Sequence, residues 1–120
     1  MDKNKRKELQ DEFKQIKVYM GVVLVKNNLN GKLFVSAYPN LKNKWMTMKA
    51  QLDLGMFGNL QLQKDWKELG EDAFSFEVLE QFDTEKISDV RWEVKKLEKQ
   101  WREKLQSYDD KGYHKRPANR

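Results

Sequence analysis

The sequence predicts an α+β domain: a small three-stranded antiparallel sheet flanked by helices, with an extra helix at the N-terminus. Three observations carry this expectation. Two apolar runs, the first rich in Val and Leu, flank Asn30-Gly31, the dipeptide most suited to reversing a strand. Phe74, Phe76 and Val78 alternate as strand residues do, and elsewhere Leu, Trp, Ile and Phe recur at helical spacing. A chain of 120 residues is one domain's worth, with room for a single modest core.

Taken in order, residues 5–17 read as a helix, because Leu9, Phe13 and Ile16 recur at helical spacing between charged neighbours. That stripe is narrow and needs another surface to cover it. Met20 to Asn27 reads as a strand, joined through 28–31 to a second strand, Lys32 to Tyr38. Asn-Gly suits the two positive φ angles of a type I′ turn. The unbroken apolar run Val22-Val23-Leu24-Val25 implies a central strand covered on both faces. Pro39-Asn40 stops the sheet, and Leu41, Trp45, Met48 and Leu52 trace a helical face ending at Gly55. Asn59 is placed to cap a short helix bearing Leu62, Trp66 and Leu69, closed by Gly70. From Glu85 to Gln106 runs the longest helix, with Ile87, Val90, Val94, Leu97, Trp101 and Leu105 on one side.

Composition narrows the function. Cysteine is absent and His114 is the single histidine, which excludes disulfides, thiolate metal sites and the usual triads. No glycine-rich phosphate loop is present. No apolar run is long enough to cross a bilayer or to act as a secretion signal, so the expected setting is cytoplasmic, with no membrane partner. The net charge of +5 suits approach to nucleic acid. Much of the excess sits in Lys111, His114, Lys115, Arg116 and Arg120, where a solvated terminus and a phosphate contact are equally open readings.

The motifs go further. Gly21-Val22-Val23 and Phe34-Val35-Ser36 lie on the two strands of the hairpin, and Glu98-x-x-Trp101 follows on the long helix. With Asn30-Gly31-Lys32, Leu62-Gln63-x-x-Trp66, Gly70-Glu71, Phe74-x-Phe76-Glu77-Val78-Leu79-Glu80 and Gly112-Tyr113, this order resembles the GIY-YIG nuclease family. The likeness spans Tyr19 to His114. It implies a nuclease-like domain over 18–114, preceded by a helical extension, 1–17, and followed by a basic tail, 115–120.

The resemblance also implies roles. Glu98 matches the family's glutamate that binds one divalent metal, usually magnesium. Independently, at about 100° per residue Glu98 falls at the margin of the long helix's apolar stripe, where an ionised carboxylate needs a cation, a donor or water. The alternatives are a metal ligand, or a structural glutamate that either snorkels at the edge of the core or pairs with Lys44. Val23 and Phe34 stand where the family carries tyrosines, and neither can hold or donate a proton. Lys44 replaces an arginine, keeping the charge but losing the planar fork. Ser36 replaces a glycine, Met48 and Phe57 fall where histidines are common, and His114 falls where asparagine is frequent. Tyr19 and Tyr38 are the phenols left near the triplets.

Three functions are consistent with this pattern. The substitutions favour a non-catalytic relative that binds DNA as a regulatory or accessory factor, for example in transcription. Lys42, Lys44, Lys49, His114, Lys115 and Arg116 would make its phosphate contacts. The second is a working magnesium-dependent DNA endonuclease with displaced catalytic groups. The third is a protein-interaction module forming a homodimer through the N-terminal helix.

Overall fold

The computed structural model describes residues 17–116. The stripe Leu9, Phe13 and Ile16 of the expected N-terminal helix lies outside the described residues. Val22 to Val25 occupy the middle of a three-stranded sheet, as their unbroken apolar character requires. Strand β1, Tyr19–Asn27, is central, between β2, Leu33–Tyr38, and β3, Phe74–Asp83. Both pairings are antiparallel, with Val25 opposite Phe34 on one side and Phe76 on the other. The β1–β3 register shifts between Val22 and Val23. There β3 passes so close that a Cβ on Gly21 would meet the Glu80 carbonyl oxygen. Close packing of backbone therefore demands the first glycine of the triplet.

The hairpin turn differs from the type I′ expectation. Gly31 has φ of 77°, but Asn30 is not in the positive-φ region. The loop is four residues long, closed by Asn27 N–H donating to Lys32 O at 2.9 Å and Gly31 N–H to Asn27 O at 2.8 Å. Asparagine side chains shape it: Asn27 Oδ1 accepts from Leu29 N–H, and Asn30 Oδ1 from Lys32 N–H. These local side-chain bonds hold the 28–31 loop in a geometry other than type I′.

Helix α1 spans Lys44–Asp53, α2 spans Leu60–Leu69 and α3 spans Val90–Leu105. Asn59 caps α2 through Leu62 N–H at 3.0 Å, and Gly70 closes it at φ 83°. The long helix starts later than its apolar spacing suggests. Asp89 Oδ1 accepts from Trp92 N–H at 3.1 Å and starts α3 there, while 84–86 form a separate 3-10 turn.

Helices cover both faces of the sheet. On one, Val23, Val25 and Phe34 pack with Met48, Leu52, Phe57, Leu62 and Trp66 from α1, α2 and their connection. On the other, Met20, Val22, Val35 and Ala37 meet Leu97, flanked by Val90, Val94, Trp101 and Leu105 of α3. Full burial of a residue such as Leu62 is worth about 1.5–3 kcal/mol. The indoles are satisfied at their polar tips: Trp66 Nε1 donates to Asp53 at 2.9 Å, and Trp101 Nε1 to Glu80 at 2.7 Å.

Candidate functional site

Strand β2 lies at the edge of the sheet, so its outward backbone groups have no strand to pair with. Other groups answer them one by one. Tyr113 N–H donates to Leu33 O at 3.0 Å. Val35 N–H donates to His114 Nε2 at 2.8 Å, and Arg102 Nε–H to Val35 O at 2.9 Å. Ala37 N–H donates to Glu98 Oε2 at 2.9 Å. From Leu33 O to Ala37 N, the edge is closed by α3 and by the segment after it. That segment turns in because Gly112 lies against Ser107, whose backbone a Cβ at 112 would hit.

The carboxylate of Glu98 is held on both oxygens. Beyond Ala37 N–H, Ser36 Oγ lies 3.4 Å from Oε2, and Arg102 Nη1 is 3.2 Å from Oε1, one helical turn along. The cationic partner is thus Arg102. Lys44, the partner weighed from the sequence, instead sets its Nζ 4.1 Å from the centre of the Tyr38 ring.

Magnesium is commonly held by one or two carboxylates together with water and phosphate, so the state of the carboxylate oxygens decides the fit. Here the groups around Glu98 are an amide N–H, a hydroxyl and a guanidinium, which supply hydrogens and positive charge. Among the described residues, no three His, Cys, Asp or Glu side chains gather to hold a metal ion. Both oxygens of Glu98 are already engaged by these donors, so a divalent cation would have to displace Arg102 to reach the carboxylate.

Beside this edge lies a cleft of about 360 Å³ lined by Phe34, Tyr38, Gln51, Phe57, Arg102 and His114, among others. Its floor is aromatic: Phe34 meets Phe57 at 5.3 Å and the His114 ring at 5.0 Å between centroids. Val23 is fully buried and Phe34 only 6% exposed, so both positions that the resemblance aligns with tyrosines serve the core. Met48 and Phe57 pack in the same cluster. Tyr38 is the phenol that reaches the cleft. Burial pushes its pKa up, partly opposed by a hydrogen bond with Ser36. His114 is pushed down to about 4, first by burial and then by the positive charge of Arg102. Its Nε2 must carry a lone pair to accept from Val35, so the ring is neutral near pH 7.

The expected phosphate-binding side chains are spread out. Lys42 and Lys115 are exposed, and Lys44 stands at the cleft rim on Tyr38. Lys49 pairs with Glu71 at 3.2 Å, and Arg116 with Asp109 at 3.3 Å. His114 faces inward as a neutral acceptor. Sequence reasoning missed Arg102, although its position four residues beyond Glu98 was the available signal. It also missed Arg91, Lys95 and Lys99, exposed residues at i, i+4 and i+8 on the flank of α3 that carries Glu98 and Arg102.

The fold has counterparts among solved structures. The catalytic domain of the homing endonuclease I-TevI matches with a TM-score of 0.64 and 26% identity, over 78% of this chain and 95% of that one. This chain has a GIY-YIG-type fold. A point mutant of the catalytic domain of intron endonuclease I-TevI matches at a TM-score of 0.50 and 26% identity, over 68% of this chain and 84% of that one. No family model matches the sequence, and no curated protein matches it significantly. Within the GIY-YIG-type fold, the hairpin presents both triplets and α3 presents Glu98 to the edge of β2.

Proposed function

We propose that this chain binds DNA along the cleft beside β2 without hydrolysing it, and acts as an accessory or regulatory factor. One observation carries the reading: Val23 and Phe34 are buried apolar side chains where the resemblance places proton-handling hydroxyls. Removing a general acid or base typically costs about 10²–10⁴-fold in rate. The nuclease-like fold and the net charge of +5 support a DNA partner. Lys42 and Lys44 near the start of α1, with Arg91, Lys95 and Lys99 on α3, supply exposed or half-exposed charge.

The test is the affinity for a short duplex measured against salt. Each phosphate neutralised should steepen the dependence of log K on log salt by about 0.9. Absence of binding even at low ionic strength removes the proposal. One observation favours a second reading, residual hydrolysis: Tyr38, a phenol on the same strand as Phe34, lines the cleft. Nicking of supercoiled DNA that Tyr38→Phe abolishes would establish that reading. No nicking by the wild-type protein is the expected result.

A further inference from the structure

We infer that Arg102 is a built-in cation of the cleft: it occupies the cationic place beside Glu98 and binds a phosphodiester oxygen directly, without a divalent metal. The inference rests on the reading of the cleft as a DNA site.

The geometry gives the guanidinium two anchors. Nε–H is held by Val35 O at 2.9 Å, and Nη1 by Glu98 at 3.2 Å. A guanidinium carries five N–H donors, so about three remain free of these two bonds. Arg102 lines the cleft alongside Tyr38 and His114. Glu98 holds it from the side of Ala37 and Ser36. The Arg102 side chain is 27% exposed: reachable from the cleft, yet fixed by two partners. Its plane is pre-oriented for the two-pronged contact that suits a phosphate, at little further entropic cost.

The electrostatics agree. Glu98 neutralises one positive charge, and Lys44 stands on Tyr38 at the same rim, leaving a net positive mouth. A dication approaching Glu98 would meet a guanidinium already in place, and arginine cannot shed its proton to make room. Phosphate is therefore the ligand class these donors suit, and a divalent metal would have to displace the guanidinium that already holds Glu98.

Two measurements test this. The first is Mn²⁺ titration followed by electron paramagnetic resonance, comparing wild type with Glu98→Gln. Matching isotherms are expected. One equivalent bound by wild type and lost in Glu98→Gln overturns the inference. The second is binding of a short duplex at matched ionic strength in chelator and in magnesium, for wild type and Arg102→Gln. Equal wild-type affinity in both buffers is expected, with roughly a tenfold loss and a salt dependence shallower by about one phosphate in the variant. Wild-type binding that requires magnesium, or that a folded Arg102→Gln leaves unchanged, overturns it. Should wild type bind no DNA at all, the DNA reading fails by itself, and the Mn²⁺ comparison still decides whether Arg102 closes the metal position.

Discussion

His114 makes the edge of β2 sensitive to acid, and the size of the effect follows from its surroundings. The ring accepts Val35 N–H at Nε2, and burial beside Arg102 holds its pKa at about 4, against an ordinary 6.5. Between those values the unfolded chain binds a proton that the folded chain does not, so stability rises with pH. The contribution is complete above about pH 6.5 and is lost as pH falls towards 4. A gap of 2.5 units, at about 1.4 kcal/mol each, sets a ceiling of about 3.5 kcal/mol. Because the ring is partly solvent-exposed, screening reduces this to about 1–2 kcal/mol. The perturbation is His114→Gln, whose amide oxygen can still accept from Val35 but does not titrate. Thermal melts of both proteins between about pH 7.5 and 4.5 isolate the histidine, since the carboxylates titrate in both. Wild type should lose about 4–8 °C per kcal/mol relative to the variant on acidification. A difference between the two that stays constant across this range would refute the assignment of His114 as a buried neutral acceptor.

Other positions give sharper structural tests. Gly21→Ala should cost more than about 3 kcal/mol or prevent soluble expression, because its Cβ would overlap the Glu80 backbone. Gly31→Ala, at φ 77° with open space around it, should cost only about 1–2 kcal/mol in denaturant titration. Equal losses at the two glycines would contradict the close approach of β1 and β3. Tyr113→Phe should destabilise by about 1–3 kcal/mol. Its hydroxyl donates to Asp65 at 2.7 Å and accepts from the buried Asn27 amide at 3.0 Å, which would lose that partner. The wild-type Tyr113 phenol is held above the ordinary tyrosine range, first by burial and then by Asp65. Spectroscopic titration should find it still protonated at about pH 10, and normal ionisation would count against the bond.

Much of the fold is visible in the order of residues, for reasons that can be named. The Val22–Val25 run has no polar residue to face solvent, so β1 had to be central. Asn59 and Gly70 bracket α2 because cap and stop act through immediate neighbours. The connection 28–31 is legible, but the type I′ geometry at Asn30-Gly31 does not form, because Asn27 and Asn30 bond the loop backbone themselves. The start of α3 was placed too early because Ile87 continues the apolar spacing although Asp89 caps the helix after it. The site was less legible. Glu98 drew notice from its place beside an apolar stripe, but its partners Ala37 and Ser36 are 61 and 62 residues away.

Fold class, the central strand, the helix caps and the absence of hydroxyls at Val23 and Phe34 can all be read from the residues alone. These depend on periodicity, local hydrogen bonding and side-chain chemistry, all of which are written in neighbouring residues. Only the tertiary structure decided that Arg102 is the cation at Glu98, that His114 turns inward to Val35, and that Tyr38 reaches the cleft. The physical reason is the edge of β2. Its unpaired backbone groups must be satisfied by whatever side chains the fold brings alongside, and that choice depends on how α3 and 112–114 pack against it.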